Sequence, residues 1–590
     1  MQELHNFYSN QLEKHNQNLN EISKTINVVR LFRFLIFSGL IIGVYFTFQI
    51  SYTPIIIGAV GVIIFGFLVV KHQNLKEKRN LIRSKISFNE TELSILNGDF
   101  FDRPTGEEFI EPLHHYSNDV DLFGRGSFFQ YLNRTATIKG KELLASLLTA
   151  NNIESIEERQ KTLQELSQKS TWRENFTALA QLVSPTQKQT SNISRWIETF
   201  EVTLPSFLRV LPKIFSAISL ILIGLVSFDI VSFSAITLWF FIGLGISMVY
   251  FKKTQSLYTS ASSAKDIFKQ YYLLLEQIET ESFKTDFLKQ KQSAITTGEK
   301  KSSAIFKEFS GILNAFDQRN NLLIAIVGNG LFLWDINNAA KTEHWITTYK
   351  NVVDNWFHVV DFFDAYNSLA NFVFNHPNYS FPSIASQHQT IKASSLGHPL
   401  LKIVNRVDND FSINNEEFFI VTGANMAGKS TFLRTVSLSI VMANCGLPVC
   451  AGTFRYSPIK LITSMRTSDS LTDDESYFYS ELKRLKFIVD EIKEDTYFII
   501  LDEILKGTNS KDKAIGSKQF IEKLTKSKST GIIATHDVSL CELADEYEQI
   551  QNYYFDAEIV NNELFFDYKM KDGVCKNMNA SFLLQKMEIV

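Results

Sequence analysis

The hydrophobic positions of this chain are concentrated in two long runs that hold almost no charge. The first run extends from Phe34 to Val70 without a charged residue, and Ser51-Tyr52-Thr53-Pro54 interrupts it near its middle. Each half holds about 17 residues, which is near the lower limit for a helix that crosses a hydrocarbon core of about 30 Å. The pattern therefore predicts two membrane-spanning helices joined by a tight turn.

The second run repeats this arrangement. It extends from Ile214 to Phe251, and its single charged residue, Asp229, lies near the midpoint, where we expect the outer turn. Basic residues flank both runs: Arg30, Arg33, Lys71, Lys76, Lys78, Arg79, Lys213, Lys252 and Lys253. The positive-inside rule places the ends of both runs in the cytoplasm. The alternative for each run is a buried helical hairpin in a soluble domain.

The segments beside the runs show helical spacing. Before the first run, heptad a and d positions are apolar except for His15, and they include Leu12, Leu19, Ile22, Ile26 and Val29. After the second run, the 3-4 spacing holds at Leu257, Ala261, Ala264, Phe268, Tyr271, Leu275 and Ile278. These patterns predict helical stalks that pack against partner helices. A shorter apolar run, Leu322 to Trp334, is interrupted by Gly328-Asn329-Gly330, and we interpret it as core rather than as a fifth span.

Between Phe418 and Leu433 the sequence reads FFIVTGANMAGKSTFL, which predicts a strand, a loop and a helix. The loop fits the phosphate-binding pattern G-x-x-x-x-G-K-[ST], in which backbone N–H groups cradle phosphates. In this pattern Lys429 reaches the β/γ oxygens and the Ser430 hydroxyl holds Mg²⁺. The predicted cofactors are ATP and Mg²⁺, and the predicted nucleotide-binding residues are Gly423, Ala424, Asn425, Met426, Ala427, Gly428, Lys429, Ser430 and Thr431.

Two acidic residues follow a second buried strand. The run from Tyr497 to Leu501 is apolar throughout and delivers Asp502 and Glu503 at its C-terminal end, where open parallel sheets bind ligands. We expect Asp502 to hold Mg²⁺ through water and Glu503 to polarise the attacking water. The alternative is that two acids cap a strand. The candidate metal ligands are Ser430 and Asp502.

A third strand, from Gly531 to Ala534, leads to His536. A histidine at such a strand end is placed to sense or stabilise the leaving charge, and the alternative is an ordinary surface histidine. The sequence thus predicts an α/β P-loop ATPase domain, with Lys429, Glu503 and His536 as its catalytic residues.

Length, charge and cysteine content narrow the picture further. A chain of 590 residues exceeds what one hydrophobic core organises, so we expect two or more domains. The net charge of -4 does not indicate a chain that is basic overall, as many nucleic-acid-binding proteins are. A basic surface for DNA would therefore have to be confined to one region of the protein. The cysteines show no metal-site or disulfide spacing, and we interpret them as reduced thiols of a cytosolic portion: Cys445, Cys450, Cys541 and Cys575.

Several of these motifs are similar to those of one family. GANMAGKST, LDEILKGTNSKD and ATHD resemble the ATPase domain of MutS-type DNA mismatch repair proteins, whose loop reads G-P-N-M-G-G-K-S-T. SDSLTDDESYFYSEL, from Ser468 to Leu482, resembles a segment between the two ATPase motifs of that family. Gly397-His398-Pro399 resembles the family's G-x-H-P element beside the adenine, which implies that the base of the nucleotide lies near His398.

The likeness extends in both directions along the chain. The segments Phe123 to Leu148 and Ile156 to Leu166 are similar to parts of the family's helical core, and FFDYKMKDGVCKNMNASFLL is similar to its C-terminal ending. The resemblance covers Leu122 to Val590, interrupted by the second apolar run. It implies an α/β P-loop ATPase domain that follows an all-α helical core or lever domain, here with two transmembrane helical hairpins.

The resemblance also implies that two chains share each ATP. In the family, residues just after the acidic strand reach the γ-phosphate of the partner, and here these are Thr508, Asn509 and Ser510. Lys513 replaces the glycine that ends the family's T-x-D-G element, and Ala427 replaces the second loop glycine. A stalk, a hairpin and a connection occupy residues 1–120, where family members that read mismatches carry their N-terminal reading domain.

We predict five parts in chain order. Residues 1–33 form an N-terminal helical stalk, residues 34–70 a first transmembrane hairpin, and residues 71–120 a helical stalk and connector. Residues 121–390 form a helical core that contains the second hairpin at 214–251, and residues 391–590 form an ATPase domain. The predicted function is a homodimeric ATPase that spans the inner, or cytoplasmic, membrane several times, with mismatched or branched DNA as a candidate ligand. The ATPase domain and helical core are expected in the cytoplasm. The alternative is a membrane scaffold or remodelling ATPase that binds no DNA. An ABC-type half-transporter is disfavoured, because the sequence lacks the Gly-Gly pair of the L-S-G-G-Q signature.

Overall fold

The structure, a computed structural model, describes residues 2–49, 53–183, 193, 195–262, 264–297, 300–385, 389–424, 426–466, 477–560 and 563–576. The chain divides into two compact units. The first unit, which is mainly helical, comprises Met1–Leu93, Thr135–Lys141 and Thr171–Ala365. The second unit, which contains the larger sheets, comprises Ser94–Arg134, Glu142–Ser170 and Tyr366–Val590.

Helices dominate the chain up to Asn375. They include α1 (Gln2–Thr47), α2 (Thr53–Leu96), α3 (Phe128–Leu132), α4 (Ile138–Thr149), α5 (Ile156–Gln168), α6 (Ser170–Ala180), α7 (Leu211–Ser227), α8 (Phe233–Ser262), α9 (Lys265–Thr280), α10 (Asp286–Ser293), α11 (Ser302–Asp317), α12 (Asn329–Phe332) and α13 (Trp334–Asn375). Turns of 3-10 helix lie at Glu107–Phe109, Ser206–Arg209 and Gln318–Asn320, and Ile324–Gly328 is a π-helix. A small antiparallel ribbon before α11 is formed by β1 (Thr296–Thr297) and β2 (Lys300–Lys301).

The apolar halves of α1 and α2 pack against each other. The ring centroids of Phe37 and Phe65 lie 6.0 Å apart. A Cβ atom on Gly61 would lie 2.1 Å from Leu40 Cδ1, so glycine at this position permits the close approach of the two helices. The first apolar run therefore forms a pair of adjacent helices whose outer faces are exposed.

Within the described part of the chain, three helices are long and apolar enough to cross a membrane, judged by length and composition: α1, the Ile56–Leu96 part of α2, and α8. Helix α7 is apolar but shorter. Of the residues predicted to form the first turn, Thr53 and Pro54 begin α2, where a proline costs no helix hydrogen bond. Ser51 and Tyr52 lie outside the described residues.

Helices α7 and α8 contain the second apolar run. Asp229 lies between them with a φ of 55°, at the position predicted for the turn. The rings of Phe215 and Trp239 stack with centroids 4.3 Å apart, and Trp239 Nε1 donates to Ser219 Oγ at 2.9 Å. Aromatic stacking and a side-chain hydrogen bond thus join the two helices.

The structure corrects the expectation that the run from Leu322 to Trp334 is core. Leu322 is 73 % exposed and Leu323 is 72 % exposed, and Ile326 and Val327 are also exposed. The residues that follow are mostly buried, and they include Gly328, Asn329, Gly330 and Leu333. The expectation was wrong for the first half of the run. A run of apolar residues in the sequence does not show whether those residues lie in a protein core or on an exposed apolar surface.

The predicted stalk positions are largely inside the first unit. The seven positions with 3-4 spacing are all buried: Leu257, Ala261, Ala264, Phe268, Tyr271, Leu275 and Ile278. Ile26 and Val29 of α1 are buried as well. His15, which interrupts the heptad pattern, is buried too, and its Nε2 lies 2.8 Å from Glu174 Oε1. Glu174 therefore gives His15 a polar partner at this buried position.

Strands and helices alternate in the second unit. The strands are β3 (Ser383–Ile384), β4 (Gln389–Leu396), β5 (Asn409–Asn414), β6 (Phe418–Gly423), β7 (Thr453–Tyr456), β8 (Lys460–Ser464), β9 (Tyr497–Asp502), β10 (Thr530–Ala534), β11 (Ile550–Phe555), β12 (Glu558–Val560), β13 (Glu563–Phe565) and β14 (Met570–Asp572). The helices include α14 (Lys429–Asn444), α15 (Tyr477–Glu494), α16 (Ser510–Thr525) and α17 (Leu543–Glu546), with a 3-10 turn at Val538–Glu542.

The six-stranded sheet has the order β14-β11-β6-β10-β9-β8, and its neighbours are parallel except for β14 on β11. Ile533 of β10 pairs with Ile420 of β6 on one side and with Leu501 of β9 on the other. The carboxyl ends of these three strands therefore lie side by side. A second sheet has the order β3-β7-β4-β5, and β12 pairs with β13.

Residues from the early part of the second unit cover the edge strand β8. Leu461 N donates to Asn151 Oδ1 at 2.9 Å, and Asn151 Nδ2 donates to Leu461 O at 2.9 Å. Thr463 N donates to His115 O at 2.9 Å. These bonds satisfy backbone groups that an edge strand leaves unpaired. Because such segments belong with the sheet, the helical core predicted over 121–390 is divided between the two units.

Candidate nucleotide-binding site

A loop bounded by two glycines joins β6 to α14. Gly423 has a φ of 148° and Gly428 a φ of 107°, in the region that favours glycine. A Cβ atom on Gly423 would lie 2.4 Å from Phe555 O. Among the described residues no side chain caps the start of α14, so N–H groups of its first turn are available to an anion. This is the order of strand, loop and helix predicted for a phosphate-binding loop.

Lys429 is held at the mouth of this loop. Its side chain is buried, and its Nζ donates to Gly423 O at 2.7 Å and to Ala424 O at 2.9 Å. Burial lowers the pKa of Lys429, while the charges of Asp502 and Glu503 act in the opposite direction. The ammonium group is thus positioned by the loop backbone and faces two carboxylates.

Ser430 and Asp502 form the candidate metal position. Ser430 Oγ donates to Asp502 Oδ2 at 2.7 Å, so the hydroxyl and the carboxylate are close enough to share one ion. Both are hard oxygen ligands, and Mg²⁺ is usually held by one or two protein oxygens together with water and phosphate. The donor set in this position therefore fits Mg²⁺.

Glu503 and His536 meet at the carboxyl ends of β9 and β10. Glu503 N donates to Ala534 O at 2.9 Å, and His536 Nε2 lies 2.9 Å from Glu503 Oε1. The hydrogen bond from His536 lowers the pKa of Glu503 to about 2, and the charges of Lys506 and Lys513 act in the same direction. Glu503 is therefore a carboxylate at neutral pH, which suits it to orient and polarise a water molecule.

These groups surround one cavity of about 400 Å³, a size that suits a small-molecule ligand. Most of the predicted site residues line it: His398, Ala424, Met426, Gly428, Lys429, Ser430, Thr431, Glu503 and His536. Gly423 and Ala427 belong to the loop but not to the lining, and Asp502 reaches the cavity through Ser430. Asn425 lies outside the described residues.

His398 lines the cavity in a neutral form. Its Nδ1 accepts a hydrogen bond from Leu400 N at 3.3 Å. Burial lowers the pKa of His398 to about 4, and the charge of Arg434 acts in the same direction. The uncharged imidazole provides a flat surface that adds no charge to this part of the cavity.

The C-terminal segment forms one wall of the cavity, which the sequence did not predict. Tyr568 lines the cavity, and a Cβ atom on Gly428 would lie 3.0 Å from its Cδ1. Asn409 Nδ2 donates to Tyr568 O at 3.0 Å, and Asn409 Oδ1 accepts from Met570 N at 2.9 Å. The only signal in the sequence is the stretch FFDYKM, which lies in the ending that resembles the family. Apolar walls come from Leu396, Leu401, Val407, Phe432 and Phe555.

The residues predicted to reach a partner's nucleotide lie apart from this cavity. Of the side chains that the structure describes, Thr508 and Asn509 are outside the lining. Asn509 is exposed and caps α16, with its Oδ1 accepting from Asp512 N at 2.9 Å. Ser510 begins α16, and its side chain lies outside the described ones.

Two further predictions concern the cysteines and the segment from Ser468 to Leu482. The four cysteines are buried and form no disulfide, and within the described ranges no group of three or more His, Cys, Asp and Glu residues could hold a metal ion. Of the segment from Ser468 to Leu482, residues 468–476 lie outside the described residues. In the described part, Glu481 is buried and its Oε1 accepts from Lys506 N at 3.3 Å.

Part of the site lies in a stretch that matches the model of a known protein family. Residues 419–586 match MutS domain V. The chain is 29 % identical over 233 residues to the DNA mismatch repair protein MSH4 of Arabidopsis thaliana, covering 38 % of this chain and 28 % of that protein. It is 32 % identical over 202 residues to the DNA mismatch repair protein MutS of Thermotoga sp. (strain RQ2), covering 33 % of this chain and 25 % of that protein. It is 28 % identical over 194 residues to MutS protein homolog 4 of Homo sapiens, covering 31 % and 20 %. The chain thus spans about a quarter of the length of these relatives.

Proposed function

Because the chain belongs to the MutS family, we propose that it is an ATPase whose site is the cavity at the carboxyl edge of the six-stranded sheet. One observation carries this proposal. A phosphate-loop lysine, a hydroxyl–carboxylate pair and a carboxylate–histidine pair converge on one cavity within the stretch that matches MutS domain V. The substrate is ATP with Mg²⁺, and the base of the nucleotide lies beside His398.

Each residue of the site has its own task. The first-turn N–H groups of α14 and the Lys429 ammonium bind the β- and γ-phosphates. Ser430 and Asp502 would hold Mg²⁺, which neutralises charge on the phosphate oxygens when it is bound. Glu503 orients and polarises the attacking water. His536 fixes Glu503 through the 2.9 Å hydrogen bond and lies where it can sense the γ-phosphate.

Two substitutions in the full chain, purified in detergent, test this assignment. Lys429→Ala removes the phosphate-binding ammonium and should weaken ATP binding by at least about tenfold. Glu503→Gln keeps the shape of the side chain but removes its charge, so ATP should bind normally and turn over about 100-fold more slowly. The measurements are binding of a fluorescent ATP analogue and release of phosphate with and without Mg²⁺.

Lys528→Ala is the matched control, because Lys528 is exposed and lies outside the cavity lining. It should bind and hydrolyse ATP as the wild type does. Unchanged binding in Lys429→Ala would exclude the phosphate site, and normal turnover in Glu503→Gln would exclude Glu503 as the residue that polarises water.

We propose further that the chain is anchored in the cytoplasmic membrane by two helical hairpins, α1 with α2 and α7 with α8. Large apolar side chains are exposed along these helices, among them Phe46, Phe67, Phe228 and Met248. An exposed apolar surface of this extent is unfavourable in water and suits lipid. The flanking basic residues favour cytoplasmic ends for both hairpins, with the ATPase site on the same side.

A homodimer with shared sites follows as a proposal from the residues after β9. In one chain Thr508 and Asn509 lie apart from the cavity, which leaves this segment available to the nucleotide of a second chain. ATP held by two chains favours the closed dimer and so couples closure to the helical unit.

Two candidate functions differ in whether the helical unit binds DNA. The relatives are named as DNA mismatch repair proteins, which supports mismatched or branched DNA as the ligand. The three long apolar helices in the first unit favour the second candidate, a membrane scaffold or remodelling ATPase that binds no DNA. Filter binding of the full chain to homoduplex, mismatched and branched DNA at about 50 and about 200 mM salt separates the two. Salt-sensitive retention supports DNA binding, and no retention at low salt supports the scaffold.

A further inference from the structure

The segment between α11 and α13 belongs to the first unit, and its two ends lie at the same place. Arg319 Nη2, just before the segment, lies 3.0 Å from Asp335 Oδ2, just after it, and both side chains are buried. Trp334 Nε1 donates to Ala315 O at 2.8 Å, which adds a second connection at the base. Residues 320–334 therefore form a closed loop whose two ends are held together.

The second half of this loop contacts both α7 and α8, through Leu331 and Gly330. Ser219 Oγ of α7 donates to Leu331 O at 2.5 Å. A Cβ atom on Gly243 of α8 would lie 2.2 Å from Gly330 O, so the two backbones are in direct contact. Gly243 precedes Lys252 by nine residues, which is about 14 Å along α8. That distance is close to half of a hydrocarbon core of about 30 Å.

The backbone of the loop is irregular, and α7 donates hydrogen bonds to its last part, at Leu331 and Phe332. Ile324–Gly328 is a π-helix, and Leu333 has a φ of 48°. Two serines of α7 supply hydroxyl donors, since Ser216 Oγ also donates to Phe332 O at 3.4 Å. Irregular backbone at membrane depth is tolerated where protein buries it and satisfies its polar groups. The inner half of this loop meets both conditions.

The outer half of the loop presents apolar side chains that the unit does not cover. Leu322, Leu323, Ile326 and Val327 are exposed. The outer faces of α7 and α8 are exposed and apolar as well, with Leu220, Ile221, Phe241 and Ile242 among their residues. The apolar surface of the loop thus continues the apolar surface of the second hairpin.

We propose that residues 320–334 form a re-entrant segment that enters the bilayer from the cytoplasmic side, packs against α7 and α8, and turns back about halfway across. Lipid acyl chains cover Leu322, Leu323, Ile326 and Val327. This proposal rests on the membrane anchoring proposed above. The segment leads directly into α13, so a movement of that helix would act on a segment in the cytoplasmic leaflet as well as on the two hairpins.

Accessibility of a spin label tests the depth of the segment. The full chain carrying Ile326→Cys is labelled and reconstituted in lipid nanodiscs, and its collisions with oxygen and with a water-soluble nickel chelate are measured. The four native cysteines are buried, and wild type treated with the same label defines the background. Phe241→Cys in α8 is the lipid control, and Leu113→Cys, an exposed position in the second unit, is the aqueous control. Leu323→Cys repeats the measurement in case the first variant elutes as an aggregate.

The label at position 326 should meet oxygen and exclude the nickel chelate, as the label at position 241 does and the label at position 113 does not. If position 326 is aqueous while position 241 is in lipid, the re-entrant segment is refuted and the membrane anchor stands. If both positions are aqueous, the membrane anchor itself fails. If position 326 excludes both reagents, a protein surface such as a second copy covers it, and the contact with lipid is refuted.

Discussion

At the residue scale, the hydrogen bond between His536 and Glu503 controls protonation in the candidate site. The pKa of Glu503 is lowered from 4.5 to about 2 in the folded protein. The pair therefore contributes stability that is fully present above pH 4.5 and is lost as the pH falls from 4.5 to about 2. Protonation of Glu503 should not reduce ATP hydrolysis at neutral or mildly acidic pH.

His536→Ala should raise the pKa of Glu503 toward 4.5, although the charges of Lys506 and Lys513 still hold it below that value. Hydrolysis should then begin to fall at a higher pH than in the wild type, while ATP binding at neutral pH changes little. The measurement is kcat over a pH series that extends below the ordinary pKa of a glutamate. His536→Gln retains a hydrogen-bond donor and should lie between the two. An acid limb at the same pH in all three proteins would contradict the role of His536.

The residues with distinctive chemistry could be predicted from the sequence, and their neighbours could not. Lys429, Glu503 and His536 each follow a buried strand or its loop, and parallel strands bring their carboxyl ends together. Asn409 and Tyr568 belong to no such pattern. They meet across a sequence separation of 159 residues, and an asparagine at the start of a strand or a tyrosine in a loop gives no sign of that contact.

At the scale of single elements, the edge strand β8 depends on one side chain for part of its pairing. Asn151→Ala would leave Leu461 N and Leu461 O without the two hydrogen bonds of 2.9 Å. The free energy of unfolding should fall by about 1–3 kcal/mol, since polar backbone groups lose their partner. Urea titration followed by intrinsic fluorescence measures the change.

Asn152→Ala is the matched control for this prediction. Asn152 is exposed, and its Oδ1 accepts from Glu154 N within the same loop, so the substitution should change stability much less. Equal unfolding midpoints for the two variants would show that Asn151 does not support the edge strand.

The strands and stalks follow from the spacing of apolar residues. The strands predicted at 497–501 and 531–534 are found as Tyr497–Asp502 and Thr530–Ala534. Two features of the helical unit depend on contacts that the spacing of apolar residues does not predict. His15 occupies a packing position because Glu174 lies 2.8 Å away, and the run after Leu322 is exposed in its first half because its apolar residues face away from the unit.

At the scale of the whole molecule, the exposed apolar helices predict how the protein fractionates. The chain should sediment with membranes and resist carbonate extraction, because both proposed hairpins hold it in the bilayer. In intact cells, Thr53→Cys and Asp229→Cys should react with an impermeant reagent, and Leu113→Cys should react only after permeabilisation. Recovery of the whole chain in the soluble fraction without detergent, or reaction of Leu113→Cys in intact cells, would contradict the proposed topology.

A site shared between two chains makes a prediction about mixtures. Lys429→Ala disables the nucleotide site of its own chain, whereas Ser510→Ala disables the site of the partner if the segment after β9 reaches across the dimer. In a heterodimer of the two variants both defects then fall on one site, and the other site combines an intact Lys429 with an intact Ser510. Activity should therefore return on mixing, although each variant alone is inactive.

If each site lay within a single chain, both chains of the heterodimer would carry a defect and mixing would restore nothing. The experiment needs both variants in one membrane and several protein concentrations, because a weak dimer populates the heterodimer only at high concentration. Crosslinking of differently tagged chains shows independently that heterodimers are present. Lys513 stands where the resemblance places a glycine at this contact, so a Lys513→Gly version of both variants tests whether the larger residue weakens the shared site. Heterodimers without recovered activity would refute the shared site, and with it the coupling of ATP binding to movement of the helical unit.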